Sequence, residues 1–175
     1  MPDHFLQSQS IMEKLSGIVH NEVLEPSPDM PSKDYYLCSV GNIELLSDEI
    51  TPSSQHFCLF LALDAKSLDD GKIREVAKRL LQKGLVYLCA WGPDCERVHD
   101  LFDYTILEMD PQQDRPVVMT TWHTEESFQE AVWFFINAAF PDEAYVRNCH
   151  DWMFAPIGNP GWEKVIRESQ SSGAA

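Results

Sequence analysis

The sequence is short of positive charge. Thirteen Lys and Arg stand against 28 Asp and Glu, a formal net charge of −15. Such a surface repels phosphate backbones and anionic lipid, which argues against nucleic acid and membranes as partners. A basic protein or a cation suits it, although acidity alone also serves solubility. No apolar run approaches the roughly 18 residues a membrane-crossing helix needs, and no basic start leads into a signal-peptide stretch. The five cysteines, Cys38, Cys58, Cys89, Cys95 and Cys149, form an odd set without a CxxC pair. Three of them lie in apolar runs, where free cysteine behaves as a small hydrophobe. The expectation is a cytoplasmic chain with reduced thiols and no disulfide framework.

The usual catalytic signatures are missing too. Asp64-Ala65-Lys66-Ser67-Leu68 stands where a glycine-rich phosphate loop would follow the first regular strand. Dinucleotides and P-loop nucleotides therefore lack their backbone cradle, and no cofactor is implied. Neither Gly-x-Ser-x-Gly nor His-Glu-x-x-His occurs, so there is no nucleophile elbow and no zincin helix.

What is present suits one domain with a sizeable core. Phe5, Leu6, Ile11, Met12, Leu15, Ile18 and Val19 are spaced as one helical stripe, which predicts an amphipathic helix over 3–20. That face could pack on the domain or on a second copy, so a homodimer is among the allowed partners. A proline-rich connector covers 25–32, Tyr35 to Val40 reads as a strand, and Ile43 to Leu46 is too brief to assign. Residues 1–55 thus read as an N-terminal helix and extension.

The α/β core spans 56–145. Phe57 to Leu63 is a strand covered on both faces, and Ser67 to Gln82 carries a helical stripe closed by Gly84. Leu85 to Ala90 is the second strand. It breaks at Trp91-Gly92-Pro93, with Pro93 predicted at the first helical position, and a helix runs on to Met109. Val117 to Trp122 is the third strand, and Thr124 is predicted to cap the next helix. Three strand–helix units at short spacing predict a three-layer α/β fold: a mostly parallel sheet with helices on both faces, Rossmann-like or flavodoxin-like. Residues 146–175 read as an aromatic extension, with Trp152, Phe154 and Trp162, folded over the core and ending in disorder.

Parallel strands would gather Asp64, the Trp91-to-His99 segment and Trp122-His123 at their carboxyl ends, where open α/β sheets place ligands. Cys95 is the candidate nucleophile. Near a helix start its thiolate gains from unpaired N–H groups and the helix dipole, and His99, one turn on, is the candidate base. Against this, Asp94 and Glu96 flank the sulfur, which also lies on the apolar side with Val98 and Phe102. Trp91 and Trp122 could wall a ring-shaped ligand, with Asp94, His99 and His123 offering hydrogen bonds and Asp64 as a further ligand-binding candidate. Cys95, His99, His123 and Cys149-His150 offer zinc ligand types, but only one close pair exists, so no metal site is assigned.

Cys89-Ala90-Trp91-Gly92-Pro93-Asp94-Cys95-Glu96-Arg97-Val98-His99-Asp100 and Thr120-Thr121-Trp122-His123 resemble an uncharacterised bacterial family, a domain of unknown function, over Phe57 to Tyr145. The resemblance implies a bacterial origin and carries no activity.

Two functional classes stay open. One is an acidic protein-binding or regulatory module; the absence of any complete catalytic motif favours it. The alternative is an enzyme for a small-molecule or nucleotide-like substrate, with Cys95 and His99 at the strand ends.

Overall fold

The computed structural model describes residues 12–18 and 32–169. Its six strands are β1 (Met12–Leu15), β2 (Asp34–Cys38), β3 (His56–Ala62), β4 (Leu85–Trp91), β5 (Met119–His123) and β6 (Cys149–Pro156). They form one sheet in the order β1-β2-β6-β3-β4-β5. Every neighbouring pair is parallel except β1 with β2.

Among the described residues five α-helices cover it: α1 (Ile43–Glu49), α2 (Asp70–Gln82), α3 (Cys95–Met109), α4 (Phe128–Asn137) and α5 (Pro160–Glu168). Leu59, Leu61, Leu88 and Met153 turn to one face and pack on apolar residues of α1, α2 and α3. Phe60, Cys89, Trp152 and Phe154 turn to the other and pack on α4 and α5. Alternate side chains of β3, β4 and β6 thus serve different layers, which is why these strands read as unbroken apolar runs. The three-layer, mostly parallel α/β architecture is the one the sequence pattern predicts.

Two ends of the chain depart from expectation. Within the stripe predicted as a helix over 3–20, Met12–Leu15 is strand β1; the rest of the stripe up to residue 11, and residues 19–20, lie outside the described residues. The exposed edge of β2 presents unpaired backbone groups, and pairing with them outweighs a helical pattern that only a few apolar residues carry. In the tail, the segment expected as an aromatic cover forms β6, in the interior of the sheet between β2 and β3. Its polar start, Cys149-His150-Asp151, hides the strand signal. Asp151 is nonetheless fully buried, because its carboxylate accepts the backbone N–H groups of Ser53 and Ser54 at 2.5 and 3.0 Å. The expected disordered end from Ser171 lies outside the described residues.

Helix starts shift as well. α3 begins at Cys95, two residues beyond Pro93, because Asp94 takes a left-handed conformation with φ 65°. Ser127, not Thr124, caps α4, closing a capping box with Glu130. The unassigned Ile43 piece is α1, capped by Asn42. Gly92 at the β4–α3 turn has φ 116°, and a Cβ there would sit 2.2 Å from the Leu63 carbonyl oxygen. Only glycine lets the turn approach the neighbouring loop so closely.

Candidate functional site

β3, β4 and β5 end in step, with Ala62 opposite Trp91 and Trp91 opposite His123. This register brings Asp64, the Trp91-to-His99 segment and Trp122-His123 to one edge of the sheet. They do not form one cluster there.

Asp64 is exposed, and its carboxylate accepts the Lys66 N–H at 3.1 Å. It stands near the switch point of the fold, between β3, which leads to α2 on one face, and β6, which leads to α5 on the other. Trp91 is a packing residue. Its indole N–H donates to the Glu126 carbonyl at 2.9 Å, and its ring meets Phe128 and Trp162 edge-on at 5.0 and 5.3 Å. Asp94 holds Arg97 at 2.7 Å. Arg97 also reaches Asp70 and the Ala65 carbonyl, tying the start of α3 to the loop after β3.

Cys95 is fully buried, among core residues that include Val98 and Phe102. Burial pushes its thiol pKa up, against the backbone amides of His123, Cys95 and Gly92, which favour the thiolate; Glu96 adds to the rise. The amide nest that could activate the sulfur is therefore present, but desolvation outweighs it.

His99 has other partners. Its Nδ1 lies 3.0 Å from Asp100 Oδ1 and its Nε2 3.4 Å from Asp103 Oδ2, and its ring lies 4.4 Å from that of Trp122. Both ring nitrogens thus face carboxylates, and the Cys95–His99 hydrogen bond that a nucleophile–base pair needs is not formed. Asp103 also accepts the Thr120 hydroxyl at 2.6 Å. His123 is buried; its Nε2 meets the Thr121 hydroxyl at 3.2 Å. Its Nδ1 lies 3.2 Å from Glu126 Oε1, close enough for an ion pair but without hydrogen-bond geometry. Asp100, Asp103 and Glu126 complete the site and escaped the sequence analysis. Acids three and four residues beyond a histidine were the available signal. Among the described residues, no three His, Cys, Asp or Glu side chains converge as a metal-binding set.

Trp122 differs from Trp91. It is 43% exposed, with Met119 of the same end strand and Val117, just before it, also exposed. The charge around it is one-sided: residues 94–130 hold ten Asp and Glu, two Arg and no Lys. This segment, α3 through the start of α4, carries a net −8 of the chain's −15. At the amino end of the strands, a cavity of about 240 Å³ opens between the end of α3 and the approach to β5.

Fold and site together define a three-layer α/β protein with an acidic, tryptophan-bearing sheet edge. The chain belongs to a family described as a domain of unknown function, DUF7684, matched over residues 40–168. That match is wider than the motif resemblance, taking in α1, β6 and α5. No curated protein matches the chain. No helix among the described residues is long and apolar enough to cross a membrane.

Proposed function

We propose that this chain is an acidic protein-binding or regulatory module whose contact surface is the α3–β5 side of the sheet. The observation that carries the reading is the half-exposed Trp122 on an end strand, within a segment of net charge −8. A large, stiff aromatic ring rimmed by charge of one sign is the composition of a contact centre for a partner of opposite charge. The buried thiol of Cys95 and the carboxylate partners of His99 weigh against the enzyme alternative, which needs those two groups in contact.

The test uses Glu96→Lys and Glu125→Lys, two exposed positions, and affinity capture from a cell extract. A captured protein is then purified and its affinity measured. The reading expects a basic protein whose binding weakens with added salt and weakens at least about tenfold in the double variant. Equal binding by the variant, or a partner indifferent to salt, would overturn it.

A further inference from the structure

We propose that the outer edge of β5 accepts an extended, basic segment of a partner protein as an added strand, with a bulky apolar side chain of that segment seated in the cavity beside the start of β5. This rests on the acidic-module reading above and specifies how the partner is held.

Among the described residues β5 lies at the end of the sheet and pairs with β4 alone. In a parallel strand alternate residues turn their N–H and C=O to opposite sides, so half of its backbone groups face outward. Among the described residues no strand pairs with them. Such edges are normally blunted by lysine, proline, a bulge or very short length. The opposite edge is blunted in this way: β1 has four residues, and Glu13 and Lys14 are held in ion pairs with Arg167 and Asp34. Met119-Thr120-Thr121-Trp122-His123 carries no lysine, no proline and two β-branched residues.

Charge selects the occupant. A second copy pairing edge to edge would set two segments of net −8 against each other, which like-charge repulsion opposes. A basic segment meets attraction instead. In strand addition, main-chain hydrogen bonds give affinity and side-chain pockets give specificity. The pocket lies beside the approach to the strand: Arg115, Pro116 and Val118, which lead into β5, line it together with Leu85, Val86 and Tyr145. Leu81, Ile106 and Met109 add apolar wall to it, which suits an apolar side chain.

The experiment takes the full chain and synthetic peptides of about ten residues alternating Lys or Arg with Val, Ile or Trp. Each has a twin of the same sequence in which every second residue is the D enantiomer, which keeps the charge and prevents regular strand pairing. Affinity and backbone hydrogen exchange are measured at low salt. An all-L peptide is expected to bind, to slow exchange at amides within 119–123, and to outbind its twin by about tenfold or more. Val118→Asp, at the cavity wall, is expected to weaken the Trp-bearing peptides selectively. Twins of equal affinity with no added protection in β5 would overturn strand addition while leaving the acidic-surface reading intact. Absence of binding by every basic peptide would overturn both. Full protection of 119–123 in the free chain would mean that another segment or a second copy already occupies the edge, and strand addition by a partner would fall.

Discussion

The imidazole of His99 lies against the indole of Trp122, ring centroids 4.4 Å apart and planes inclined by 51°. The indole covers an imidazole already flanked by Asp100 and Asp103. Trp122→Ala should cost only about 1 kcal/mol of stability, the scale of one aromatic pair at a half-exposed site. Its effect on partner affinity should be far larger, because a central tryptophan is the typical anchor of an interface. Urea melts and a binding titration on the same variant separate the two. A variant that binds normally would remove Trp122 from the contact surface.

All five cysteines are reduced and buried, and burial pushes the Cys95 thiol up. At neutral pH a thiol reagent should therefore label the native chain slowly and at no favoured position, with all five reacting once urea unfolds it. Mass spectrometry of a labelling time course reads this directly. Fast, selective alkylation that disappears in Cys95→Ser would revive the nucleophile.

Lys33 makes a pH prediction. Its ammonium lies 3.8 Å from the Trp152 ring centre and 4.7 Å from that of Phe140, and donates to the Ile136 carbonyl at 3.1 Å. Burial draws its pKa down to about 8, against the opposing pull of Cys58 and Cys149. The unfolded chain keeps this proton to its ordinary value of 10.5. Between those values the unfolded state binds more protons, so the contribution of Lys33 to stability rises with pH across that window. Relative to wild type, Lys33→Met should therefore be better placed at pH 7 than at pH 10.5. Denaturant melts at several pH values test this, and a difference that stays flat from pH 7 to 10.5 would contradict it.

Asp151 is the sharpest stability prediction. Besides the two backbone N–H groups of Ser53 and Ser54, it accepts the Ser53 hydroxyl at 2.9 Å. Asp151→Ala strands those donors beneath β6 and should cost about 3 kcal/mol or more. Asp151→Asn, which keeps one acceptor oxygen, should fall between. A loss under about 1 kcal/mol for the alanine variant, read by tryptophan fluorescence in urea, would show that the donors find other partners.

The three strand–helix units were legible because Phe57–Ala62 and Leu85–Ala90 are apolar on both faces and α2 carries a regular stripe. β6 was not, because the partners that license its buried aspartate, Ser53 and Ser54, lie nearly a hundred residues away in sequence. Strand β1 was hidden beneath a helical spacing that four edge residues do not honour. At the site, the gathering of Asp64, Trp91 and Trp122-His123 followed from parallel register alone. The relation of Cys95 to His99 did not. Spacing permits contact, but the sulfur meets the backbone amides of Gly92 and His123, while the ring lies against Trp122. Only the three-dimensional positions of Asp100 and Asp103 show what the imidazole faces instead.

The place of β6 has a consequence for the order of assembly. β2 and β3 are neighbours in sequence, yet the strand that joins them into one sheet comes more than eighty residues after β3. As the chain leaves the ribosome, β3, β4 and β5 can pair while the inner side of β3 still lacks its partner. Until Cys149–Pro156 emerges, the future middle of the sheet is a temporary rim, with Phe57, Leu59 and Phe60 beside it. A nascent chain paused before that point is one on which chaperones would be expected to dwell.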